Sequence, residues 1–282
     1  MFLFTVIFAF AGEVRNLRSA DYAKLPQTRV MRAPKGGIQP QTAMDARGRL
    51  HMIFFAGDDD AGDIFYVHRD AGETEFSPPL RVNSQPESAV AVGTVRGPQM
   101  ALGEDGRIEV VWFGSAKAQP RGPDGAVPVL FSRLNDAGTA FEPQRCVMQY
   151  AKGVDGGLSV AAGSDGEVYV VWHADGNQPG EAHRRVYLAR STDDGKTFAR
   201  EVPISPAELG ACGCCGMRAT TDSQGRVYVF YRAAAEGVNR DMTLLASTDR
   251  GSIFRAMRVG PWKLNACPMS TASLSSSNGQ VL

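Results

Sequence analysis

The sequence predicts an all-β chain folded as a β-propeller of four-stranded antiparallel blades, and three observations carry that reading. A short pattern of turn residues closed by glycine, then a run of β-branched and aromatic residues, recurs at Gly48, Gly106, Gly166, Gly225 and Gly279. The spacings are 58, 60, 59 and 54 residues, long enough for four short strands per copy. Period-two alternation is frequent, and no long stretch shows the 3.6-residue period of an amphipathic helix.

Composition sets the outer limits. The 282 residues are 43% hydrophobic and carry 30 basic against 30 acidic side chains, an ordinary globular balance with ample core. Zero net charge without a basic run argues against a nucleic-acid partner or an anionic membrane surface. The 31 glycines are spread along the chain, as many tight turns require.

In chain order, residues 1–11 are apolar from Phe2 to Phe10 and end in a small-x-small pattern, the form of a shortened secretory signal peptide. The expected location is therefore secreted or periplasmic. The run is about half the length that spans a bilayer, so no membrane span is expected. Residues 12–35 form an N-terminal segment, and 36–282 the propeller.

Within each copy, the strand after the glycine is Leu50–Phe54, Ile108–Trp112, Val168–Trp172 or Val227–Tyr231. A third strand follows at Asp63–Val67, Val127–Phe131, Arg185–Ala189 or Met242–Ala246, and then a hairpin ending at Phe76, Phe141, Phe198 or Phe254. Short outer segments such as Pro79–Asn83 and Glu201–Ile204 complete the blades. The hairpin Ser191-Thr192-Asp193-Asp194-Gly195-Lys196-Thr197-Phe198 is the clearest copy. Its Asp193 carboxylate is placed to accept backbone N–H bonds, Gly195 to take positive φ, and Phe198 to bury its ring on a neighbouring sheet, a structural role. Ser247–Phe254, with Asp249 and Gly251, repeats it. The fifth copy breaks off at Leu282, so about four and a half blades are expected in an incomplete ring; the rival arrangement closes five blades with an outer strand from Val14–Ala33.

The octapeptide and its looser copies at Asp136–Phe141 and Asp70–Thr74 resemble the BNR or Asp-box repeats of the sialidase superfamily, over residues 36 to the end. The resemblance implies a six-bladed relative, an exo-α-sialidase-like glycoside hydrolase that cleaves a glycosidic bond at the axial face of the ring. The ligand it implies is a glycan or glycoconjugate. It also implies arginines holding a substrate carboxylate. Tyr231-Arg232 matches one such position, Arg240 follows, and Arg96-Gly97-Pro98 keeps an Arg-x-Pro form one blade late, the first-blade copy being Ile38-Gln39-Pro40. Arg184 lies in a second polar loop. The family's acid is matched to the loop holding Asp58, Asp60 and Asp63, where a solvated loop or a calcium site fits equally well. The glutamate that partners the family's nucleophilic tyrosine falls on Gly216, and the tyrosine would lie beyond Leu282. Since such boxes also occur in non-enzymatic propellers, a glycan- or protein-binding propeller without the catalytic set stands as the alternative.

The cysteines stand apart from this pattern. Cys212-Gly213-Cys214-Cys215 lies ahead of one inner strand and Cys267 at the corresponding place in the next copy. Counting from the glycines puts them across adjacent blades, where a disulfide from Cys267 to one of the cluster, or a soft-metal site for Cu(I) or zinc, fits the spacing. A cysteine nucleophile lacks a placeable histidine, and Cys146 is expected to pack as a small apolar side chain.

Overall fold

The structure, a computed structural model, describes residues 30–92, 97–163, 165–277 and 280–281. Residues 1–29, with the expectations attached to them, lie outside the described residues. Ala33–Leu282 forms one compact unit.

Four antiparallel sheets follow one another along the chain, each laid down as a meander. The first holds β1 (Ile38–Met44), β2 (Leu50–Asp58), β3 (Ala61–Arg69) and β4 (Leu80–Arg81). The second holds β5 (Gln99–Leu102), β6 (Ile108–Phe113), β7 (Val129–Arg133) and β8 (Arg145–Cys146). The third holds β9 (Leu158–Ala162), β10 (Val168–Ala174), β11 (Arg185–Ser191) and β12 (Val202–Pro203), and the fourth β13 (Arg218–Thr221), β14 (Val227–Arg232), β15 (Met242–Ser247) and β16 (Arg255–Gly260). A two-stranded ladder, β17 (Ser276–Ser277) and β18 (Gln280–Val281), begins a fifth. Among the described residues the helices are short 3-10 turns, and none is long and apolar enough to cross a membrane.

The second strands of the two middle blades, Ile108–Phe113 and Val168–Ala174, are buried along their whole length, because each is sandwiched between two strands of its own blade and the faces of its neighbours. Three of the four outer strands pair over only two residues. The strand expected from Val127 begins two residues later, since Pro128 has no N–H for the ladder.

The hairpins staple one blade to the one before. Ser191 Oγ accepts from Gly195 N at 3.0 Å and donates to Asp193 Oδ1 at 2.7 Å, and Asp193 in turn accepts from Thr197 N at 2.9 Å. Ser247, Asp249, Gly251 and Ile253 repeat the arrangement. Phe198 then meets Phe131 of the preceding blade edge-on, centroids 4.9 Å apart, and Phe141 meets Tyr66 in the same way at 5.7 Å. Gly195 and Gly251 take positive φ where a Cβ would lie 2.7 Å from Phe131 and 2.9 Å from Tyr169. Glycine is therefore required both for the turn and for the approach of the blades. Cys146, half-buried in β8, packs as a small apolar residue against the two cores that join the second blade to the first and to the third.

Candidate functional site

Inner strands β1, β5, β9 and β13 converge on an axial channel, and one register position recurs around it. Gln41, Gln99, Ser159, Arg218 and Ala272 each lie seven residues before the anchoring glycine of their copy. Four of them line a cavity of about 160 Å³ at the mouth, together with Gln39 and Thr271. A wider channel of about 540 Å³ continues between the same strands, past Ser159. The positions matched from the sequence lie earlier, Ile38 and Arg96 ten residues before their glycines and Cys214 and Cys267 eleven and twelve. The later start has two causes: β5, β9 and β13 begin at Gln99, Leu158 and Arg218, and β1 carries a bulge between Ile38 and Gln41, with Gln39 at φ 49°.

Arg218 is the charge at this mouth. One of its guanidinium nitrogens donates to Gln99 Oε1 across the channel. Among the described residues no carboxylate pairs with it, and burial pulls its proton affinity below the ordinary arginine value. It remains a cation at any physiological pH. The strand that carries it is fixed against β9 by Ala219 N donating to Ser159 Oγ at 3.0 Å and Thr221 Oγ1 donating to Ala162 O at 2.7 Å. A planar fork held in a polar, neutral ring can grip a carboxylate or sulfate from one side.

The loop that leads into β13 holds a second cluster. Cys214 is disulfide-bonded to Cys267. Cys212 and Cys215 are free and buried, their sulfurs 3.3 Å apart, and Cys212 Sγ lies 3.4 Å from Cys214 Sγ. The hydrogen bond from Cys212, with help from Ser270 and the Arg232 charge, brings Cys215 below the ordinary thiol range, while the same bond and burial push Cys212 up. Glu181 pins the loop by accepting from Gly213 N at 2.9 Å.

The arginines matched to sugar-binding positions gather here instead of at the channel mouth. Arg232 donates to Ser270 Oγ at 2.8 and 3.0 Å and to Arg240 O at 2.6 Å, and it stacks on Trp262 at 5.0 Å. Arg240 pairs with Glu181 at 2.7 Å, which holds that carboxyl below its usual range despite burial. Arg184 meets Asp155 at 3.3 Å. Arg96 lies outside the described residues.

The acidic loop is the tip of the β2–β3 hairpin. Asp58, Asp59 and Asp60 are exposed, with carboxylate oxygens within 4.8 Å of one another. Asp63 is committed to structure: it accepts from Asn83 Nδ2 at 2.7 Å and Glu87 N at 2.8 Å. The tip reaches the mouth through Ala91, whose N–H donates to Asp59 O at 2.8 Å and whose carbonyl accepts from Gln39 Nε2 at 3.3 Å. The residues that sequence reasoning passed over are Arg218 and the glutamines beside it. Applying the same glycine count at seven positions instead of ten finds them.

No protein-family model matches the chain, and no curated protein sequence matches it. Solved structures do. A protein of unknown function from Dyadobacter fermentans superposes with a TM-score of 0.53 at 17% identity, over 78% of this chain and 68% of that one. The NanB sialidase of Streptococcus pneumoniae gives 0.51 at 9% identity over 86% of this chain, and an ulvan lyase of a polysaccharide lyase family gives 0.51 at 11% over 79%. This chain covers 56% of each of those two enzymes. At such identities the likeness establishes the fold, a propeller of the sialidase-like kind.

Proposed function

We propose that the chain is a propeller of the sialidase superfamily that binds an acidic glycan at its axial mouth, with Arg218 holding a carboxylate or sulfate of the sugar. The observation that carries this reading is a half-buried guanidinium with no acidic partner among the described residues, set in a ring of neutral amides and hydroxyls. A cation left without an anion in a concave polar site is stabilised when a ligand supplies one. The cavity is small, which suits the end of a saccharide chain and leaves the wider channel to water. The serine–aspartate hairpins act in this reading as Asp-boxes that hold the blades. The ulvan lyase neighbour was solved with a GlcA-Rha3S saccharide bound, an anionic glycan on a similar scaffold. Export fits the apolar start of the sequence and the Cys214–Cys267 disulfide, a bond of oxidising compartments.

The test is calorimetric binding of uronate-, sialate- and sulfate-bearing oligosaccharides beside their neutral parents. Acidic ligands bind and Arg218→Ala abolishes the preference if the reading is right. Equal binding of neutral and acidic sugars, or an unchanged Arg218→Ala, overturns it.

Hydrolysis at the same mouth is the second reading, favoured by the carboxylate-bearing hairpin that Ala91 ties to Gln39. It predicts turnover of a fluorogenic α-sialoside or other exo-glycoside that is lost in Asp58→Asn or Asp60→Asn. A flat panel from the folded chain leaves binding as the function.

A further inference from the structure

The four sulfurs beside the mouth form one contiguous group. Cys212 Sγ contacts Cys215 Sγ at 3.3 Å and Cys214 Sγ at 3.4 Å, Cys214 is bonded to Cys267, and the sulfurs of Cys212, Cys214 and Cys267 all lie within 4.8 Å of one another. Cys212 and Cys215 are buried, Cys214 half-buried and Cys267 exposed. A disulfide alone needs two of these cysteines and leaves the burial of two more beside it without a purpose.

The charge around the group is the second observation. Arg232, Arg240 and Arg184 surround it, while the carboxylates that pair with them are Glu181 and Asp155. Among the described residues Arg232 itself pairs with no carboxylate. Its bonds go to Ser270 Oγ and the Arg240 carbonyl, and Ser270 Oγ lies 3.8 Å from Cys215 Sγ. Burying that cation is costly unless an anion comes close. A divalent ion bound by four thiolates carries a net charge of minus two, and a monovalent one minus three, so a filled thiolate site supplies the anion this wall lacks.

We propose that Cys212, Cys214, Cys215 and Cys267 form a tetrathiolate site for a thiophilic d¹⁰ cation, zinc or Cu(I), which opens when the Cys214–Cys267 disulfide is reduced. Disulfide and metal are then the two redox states of one four-sulfur site. Ordinary Zn–S bonds of about 2.3 Å set tetrahedral sulfurs about 3.8 Å apart. Cys212 already lies within about half an ångström of that spacing from both Cys214 and Cys215, the bonded pair reaches it by parting, and Cys215 has still to close on Cys214 and Cys267.

The reduction balances with a low-molecular-weight thiol as reductant. One thiolate attacks the exposed Cys267 sulfur, forming a mixed disulfide and expelling the Cys214 thiolate. A second thiolate attacks the small-molecule sulfur of that mixed disulfide, expelling the Cys267 thiolate, and the two reductant molecules leave as their own disulfide. Metal entry then displaces the remaining thiol protons to solvent.

The experiment uses the full chain, reduced with a phosphine without oxygen and titrated with Co²⁺ as a spectroscopic stand-in for zinc. One ion per chain, thiolate charge-transfer bands with tetrahedral d–d absorption, and displacement by Zn²⁺ are expected. Alkylation mapped by mass spectrometry serves as a readout that needs no variant. Zinc should shield all four cysteines, and Cys146 should react equally in both samples. Cys212→Ser/Cys215→Ser, whose disulfide partners are intact, should lose the d–d bands while keeping its melting transition. Should the reduced chain retain no metal after desalting, should shielding be confined to Cys214 and Cys267, or should the double variant bind as the parent does, the proposal is wrong. A second disulfide joining Cys212 to Cys215 in the metal-exposed sample would overturn it equally.

Discussion

Glu109 lies in β6 at full burial, and its two carboxyl oxygens have no hydrogen-bond partner among the described residues. Gly103 and Gly195 close over it so tightly that a Cβ on either would stand 3.3 or 3.2 Å from its oxygens. The nearby cations are already engaged: Arg133 reaches Asp194 at 2.9 Å and Glu142 at 2.7 Å, and Arg107 reaches Asp194 at 2.5 Å. Burial, reinforced by the Asp194 charge, therefore raises Glu109 from 4.5 to about 9. Between those two values the folded chain holds one proton more than the unfolded chain, so the free energy of unfolding falls as pH rises across that window. Each pH unit is worth about 1.4 kcal/mol, so by pH 7 the loss is about 3 kcal/mol, a sizeable part of the roughly 5–15 kcal/mol of an ordinary domain. Glu109→Gln removes the titration and keeps the shape. In urea unfolding followed by tryptophan fluorescence at pH 5, 6, 7 and 8, the variant should gain on the parent steadily and exceed it by about 3 kcal/mol at pH 7. Groups that titrate in both chains cancel in the difference. Parallel pH profiles, or a variant that falls further behind as pH rises, would refute the argument that Glu109 is held neutral.

Arg218→Ala should weaken binding of a carboxylated oligosaccharide by about 10- to 100-fold, the worth of a charge-assisted pair of about 1.5–3 kcal/mol, with Arg218→Lys falling between in the same titration. Asp193→Asn should cost about 1–2 kcal/mol at neutral pH, since the hydrogen bonds of its hairpin hold the carboxyl down to about 2 against burial. That contribution is present above the ordinary carboxylate range and vanishes as pH falls through about 2, so denaturation curves of the two chains should converge in acid. Gly195→Ala places a methyl 2.7 Å from Phe131 at φ +74° and should lower stability by about 2–4 kcal/mol, read as a drop in melting temperature. An unchanged melt would mean that the second and third blades do not pack as described.

Much of the fold was legible because the repeat writes its own punctuation. Gly48, Gly106 and Gly166 all take positive φ before a second strand, and the side-chain bonds of Ser191 and Asp193 lie within one octapeptide. The site was less legible, because it depends on register between strands far apart in sequence. A bulge at Gln39–Pro40 and delayed starts at Gln99 and Arg218 move the mouth by about three positions, and period-two patterning alone cannot reveal such a shift. Arg232 shows the other limit. Its position in the strand was read correctly, yet the direction of its guanidinium is set by Ser270 and Trp262, which belong to the following copy.

The staples and the mouth occupy opposite constraints in each copy. Hairpin residues are fixed by contact with the preceding blade: Gly195 by Phe131, Gly251 by Tyr169. The position seven before each glycine faces the channel instead of the preceding blade, and glutamine, serine, arginine and alanine all occupy it, Ser159 while accepting from Ala219 N of the next blade. Four different side-chain chemistries occupy one strand position of one scaffold, so a scaffold shared with a sialidase or a lyase does not carry a shared reaction. The fourth blade departs furthest: Arg218 stands at its channel position, and three residues earlier Cys215 contacts Cys212. Gly216 lies between them, its N–H donating to Ser270 O at 3.0 Å. Ser270 Oγ is also the group on which Arg232 rests, so one short span of backbone carries both the channel arginine and the wall of the cysteine cluster.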